Sequence, residues 1–71
     1  MTKLTGRNVF TTIEVDHIIL EVNCDIALCD GEIDDITVRY AEDIYSGERV
    51  TLTDEIVQEA ERLIENGEWR G

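Results

Sequence analysis

From Ile18 to Leu28 every even-numbered position is apolar (Ile18, Leu20, Val22, Cys24, Ile26, Leu28), with Glu21, Asn23 and Asp25 between them. A repeat of two is the signature of a strand with one buried face, so this run predicts a strand whose even-numbered residues point to the core. Asp30-Gly31 follows, a pair suited to a type I′ hairpin turn because glycine accepts the positive φ that the turn requires. Ile36, Val38 and Tyr40 then alternate with Asp35, Thr37 and Arg39, which predicts an antiparallel partner strand with Tyr40 on its core side. Glu42 to Ile44 either extend that strand or bend away, and Tyr45-Ser46-Gly47 marks the next turn. Arg49 to Leu52 reads as a further short strand with Val50 and Leu52 inward. Ahead of the central run, Val9 to Val15 reads as a short edge strand with Val9, Ile13 and Val15 on one parity. Residues 1–8, with the turn-like pair Gly6-Arg7, read as a flexible lead.

The repeat changes after Leu52. Ile56, Val57, Ala60, Leu63 and Ile64 recur at the spacing of one face of an α-helix. Thr53 stands where an N-cap hydroxyl accepts from an otherwise unpaired backbone amide, and Asp54 and Glu55 occupy the first turn, where the helix dipole favours negative charge. Asn66-Gly67 predicts the stop, with glycine able to take the left-handed conformation beyond the last turn. The expected architecture is α+β: a three- to four-stranded antiparallel meander with one C-terminal helix packed on one face, a single domain over residues 1–71.

Composition sharpens this picture. The 71 residues include 17 acidic and 6 basic side chains, for a net charge of −11. Such a charge usually accompanies disorder, but a hydrophobic fraction of 42% argues for a fold. A chain this short buries only about 60% of its unfolded surface, so stability is expected to be marginal, and a homodimer would add to it. The charge is uneven: residues 1–29 hold two basic and four acidic groups, net −2, whereas residues 30–71 hold four basic and thirteen acidic groups, net −9. An anionic surface disfavours direct contact with nucleic acid and with anionic membranes. The N-terminus has no apolar run with a cleavage pattern, and no segment is long enough to span a bilayer, so a cytoplasmic location is expected.

Candidate chemistry is sparse. Asp30, Glu32, Asp34 and Asp35 surround the hairpin turn, but placing Gly31 sixth in an EF-hand loop puts Ile26 first and Leu28 third, which defeats the motif. A charged turn is the plainer reading. Cys24 and Cys29 fall on opposite strand faces and so are not expected to pair. With His17 as the sole histidine they are too few for a zinc site. No glycine-rich phosphate loop is present, and no nucleophile stands out beside His17; neither an enzyme nor a cofactor is expected. The excess of carboxylates has two readings, a solubilising surface or a face made to meet a basic partner. On the second, the residues expected to contact a partner protein are Asp34, Asp35, Glu42, Asp43, Glu59 and Glu65, with Tyr45 and Trp69 as aromatic anchors.

The run DHIILEVNCDIAL, the short RVTL strand and the acidic helix TDEIVQEAERLIENGEW together resemble small acidic accessory proteins of bacteriophages and prophages. Some such proteins bind host proteins and inhibit them, in certain anti-restriction and anti-CRISPR cases by imitating DNA. The resemblance implies a non-enzymatic protein-binding module acting in the host cytoplasm, a modulator or inhibitor of a host protein. Its alternatives are a DNA mimic directed at a nucleic-acid-binding protein, or a small self-associating structural protein.

Overall fold

The computed structural model describes residues 4–71, which form β1 (Leu4–Val15), β2 (Ile18–Cys29), β3 (Glu32–Asp43), β4 (Arg49–Val50) and α1 (Asp54–Glu65). The strands make one antiparallel sheet in the order β1-β2-β3-β4, so the class is α+β and the sheet is a four-stranded meander.

β1 and β2 pair without interruption from Leu4↔Cys29 to Val15↔Ile18. The turn between them is Asp16-His17, with φ of 51° and 66°. These are the signs of a type I′ turn built without glycine, and aspartate tolerates them better than most residues. β1 is correspondingly longer than its own periodicity suggests: Leu4 to Asn8, which read as lead from their composition, pair with Asp25 to Cys29 of the better-patterned strand. Residues 1–3 of that lead lie outside the described residues. At the second turn Asp30 and Gly31 have φ of 53° and 85°, as the Asp-Gly pair predicts.

β3 departs from simple alternation. Asn23 faces Tyr40 but Cys24 faces Val38, so Arg39 is an extra residue; Ala27 faces Asp35 but Leu28 faces Ile33, so Asp34 is another. Each bulge reverses the parity of the residues beyond it. The residues of β3 packed against or within the core are therefore Ile33, Ile36, Val38 and Ala41, odd, even, even and odd. The expectation of Tyr40 on the core side is overturned for this reason. Tyr40 lies opposite Asn23, and the Arg49 guanidinium stacks on its ring at 4.0 Å. The strand predicted at Arg49–Leu52 is also shorter, pairing only at Arg49↔Glu42 and Val50↔Ala41 before the chain turns into the helix.

One core joins sheet and helix. Val9 and Ile13 of β1, Leu20, Val22, Cys24 and Ile26 of β2, Ala41 of β3, and Ile56, Ala60 and Ile64 of α1 are buried in a single cluster. Leu20 to Ile26 confirm the even-numbered core face, whereas Ile18, at the end of the same series, is exposed. Each fully buried aliphatic side chain of this size contributes about 1.5–3 kcal/mol, and α1 contributes two such residues, Ile56 and Ile64. Thr53 Oγ1 accepts from the Ile56 amide at 3.3 Å, the expected cap. At the other end the Gly67 amide donates to Ile64 O and the Glu68 amide to Leu63 O, a Schellman closure with Gly67 at φ 82°. The chain then runs back along β1, where Phe10 and Arg70 exchange backbone hydrogen bonds of 2.7 and 2.9 Å. Trp69 thereby packs half-buried against the core, with the Arg7 guanidinium 5.1 Å from its ring. The molecule is elongated, 44 × 18 × 17 Å.

Candidate functional site

With so few cations, their placement decides where negative charge is left over. Arg39 pairs with Asp25 at 3.0 Å, Arg49 with Glu42 at 3.6 Å, Arg70 with Glu21 at 2.6 Å, and Arg62 with Glu59 one turn away on α1. Arg70 also donates to Thr12 Oγ1, and Arg7 lies over Trp69. All five described arginines are thus engaged with partners outside the first turn of β3 and the C-terminal half of α1.

That region holds a groove of about 560 Å³ lined by Gly31 to Ile36 and by Glu61 and Glu65. Glu61 and Glu65 are one helical turn apart and so project side by side. Glu32, Asp34 and Asp35 come from β3, with Asp34 at its bulge. Ile33 and Ile36 also line the groove and pack against the core. Among the described residues none of these five carboxylates forms an ion pair.

The residues expected from sequence to contact a partner therefore divide. Asp34, Asp35 and Glu65 come together in the groove. Glu42 and Glu59 lie elsewhere and are each paired with an arginine. Asp43 closes the turn after β3, its Oδ1 accepting from the Tyr45 and Ser46 amides at 2.8 and 3.2 Å. Tyr45 is 84% exposed at the far end of β3 from the groove, and Trp69 serves the core. Glu32 and Glu61 also belong to the groove, although sequence reasoning does not single them out as contacts. The four-residue spacing of Glu61 and Glu65 is a legible signal for the second of them.

The other polar groups are internally satisfied. Asn23, buried in the sheet, exchanges side-chain hydrogen bonds of 2.9 and 3.0 Å with Asn8. Asn8 also donates to Asp25 at 2.8 Å, and this bond together with Arg39 holds the Asp25 carboxyl below its ordinary value. Both cysteines are free thiols. Burial pushes the Cys24 thiol up to about 11, assisted by the charges of Glu61 and Asp25, so it is a poor nucleophile at neutral pH. Among the described residues no group of three or more His, Cys, Asp or Glu side chains is arranged to hold a metal ion, and no helix is long and apolar enough to cross a membrane. Comparison with family models, curated proteins and solved structures finds no match to this chain.

Proposed function

We propose that this chain is a non-enzymatic protein-binding module whose acidic groove contacts a basic surface of another protein. The observation that carries this reading is the separation of charge: every described arginine is engaged with another partner, and five carboxylates line one groove with Ile33 and Ile36, none of them ion-paired among the described residues. In this reading α1 lies against one face of the sheet, so that Glu61 and Glu65 form one wall of the groove and β3 the other. Opposed potentials of this kind speed encounter and favour a cationic partner, whereas Ile33 and Ile36 supply desolvated contact once the partner is seated. The resemblance to bacteriophage accessory proteins points to a protein of the infected host as that partner.

The DNA-mimic reading draws support from the elongated shape, but less from the charge. A duplex carries one negative charge per ~1.7 Å, about 26 over the 44 Å length of this molecule, against a net charge of −11 here. A mimic of so low a density would cover only a short stretch of a DNA-binding groove.

A titration of the isotope-labelled chain with a lysine-rich peptide at physiological salt tests the main reading. Amide shifts concentrated at Gly31 to Ile36 and around Glu61 and Glu65, and weakened by E61Q/E65Q, are expected. Shifts spread evenly over all acidic positions would mean that the surface only solubilises. For the mimic, double-stranded DNA should compete for whatever protein the chain captures from host lysate, and failure to compete removes it.

A further inference from the structure

β4 covers β3 only at Ala41 and Glu42. From Glu32 to Tyr40 the edge of β3 facing away from β2 receives no backbone partner among the described residues. An open edge is a row of donors and acceptors ready to pair with another chain. Its regular part is short, because the bulges at Asp34 and Arg39 leave only Asp35 to Val38 in continuous register with β2. The groove lies along the first part of this edge.

We propose that the β3 edge at Asp35 to Val38 accepts a short basic segment of another protein as an added β-strand. Side chains alternate across a strand, so the Lys or Arg residues of the incoming segment at one parity meet Glu61 and Glu65, while those at the other meet Asp35. The inference rests on the preceding reading and specifies the form that the basic partner takes. Natural edges are commonly guarded by bulges and charged side chains. Here the guard is acidic, which makes it selective: anionic and neutral strands meet carboxylates, and a cationic strand neutralises them. A second copy of this chain is disfavoured by the same argument, since it would bring a further net −11 and its own Glu61 and Glu65 to the seam.

The test uses the full chain, isotope-labelled, with a peptide of about eight residues that alternates Lys with Val or Thr, a usual strand length. Two analogues carry N-methyl groups at alternate residues, one for each parity, which keeps the charge and removes the donors of one edge in the first analogue, those facing β3, and of the opposite edge in the second. The expected result is that the parent peptide shifts the Asp35 to Val38 amides and slows the exchange of those among them that point away from β2. One of the two analogues is expected to bind about tenfold more weakly, the loss of roughly one or two net hydrogen bonds. E61Q/E65Q is expected to weaken the parent peptide as well. If both analogues bind like the parent with the same salt dependence, strand addition is overturned and the anionic-face reading survives. If no basic peptide binds, both fall. A neutral Thr-Val peptide that binds equally well overturns the basic partner. A dimer in sedimentation, with the same amides protected in the free protein, overturns it in favour of a second copy.

Discussion

The two ends of the long β2–β3 hairpin are made of the same materials and finished differently. Near Asp43 the strand is flanked by β4, its Glu42 is answered by Arg49, and its Asp43 is consumed by the turn amides. Near Asp30-Gly31 the outer edge of β3 is open, and the acidic residues that line the groove beside it lack arginines among the described residues. Apolar packing is graded in the same direction: Ala41 is fully buried, whereas Ile33 and Ile36 are half-buried. One end has been closed by the fold. At the other, the edge of β3 is open and the groove carboxylates form no ion pair among the described residues, and the contrast teaches that total charge says less about this protein than the positions of its few cations.

Packing offers the most direct test of this contrast. Ile64→Ala, in the cluster under α1, is expected to cost about 2–5 kcal/mol in urea unfolding, enough to unfold much of a domain this small. Ile33→Ala in the groove should cost well under half of that. Equal losses would mean that both ends share the core alike.

Alkaline pH probes the closed part next. The unfolded Cys24 thiol ionises near 9.0, and the folded one is held up to about 11. The folded state therefore keeps a proton that the unfolded state loses; stability is full below pH 9 and is lost progressively as pH rises through that window. Cys24→Ala should flatten this part of the pH profile, at some cost in packing. Thiol reagents at neutral pH should label Cys29 well before Cys24, which is fully buried.

The smallest expected effect is electrostatic. Neutralising groove residues in E61Q/E65Q should leave stability unchanged or raise it by about 0.5–1 kcal/mol at low ionic strength, a gain erased by salt. Neutralising the paired acids in E21Q/E42Q should give no gain, because each of these carboxylates already has an arginine. Urea midpoints at two salt concentrations separate the cases.

Much of this is legible in the chain. The even-numbered face of β2, the Asp-Gly turn, both helix limits and the Thr53 cap follow from local pattern, because each depends on residues within a few positions of one another. The first turn is hidden since Asp16-His17 carries no glycine, and Leu4 to Asn8 are hidden because their pairing depends on β2. Of the groove, Asp34, Asp35 and Glu65 can be named from charge alone, but so can Glu42 and Glu59, and nothing local distinguishes the two sets.

The amino-acid sequence by itself determined the class of fold, the order of its elements and the sign of its surface. The tertiary structure alone decided which carboxylates the described arginines pair with. Two single-residue bulges reset which side chains of β3 face inward, and the antiparallel register carries Arg39, Arg49 and Arg70 across to Asp25, Glu42 and Glu21. A one-residue shift in register reverses every facing pair beyond it, so no alternation read along one strand can foresee the neighbours its charges will find.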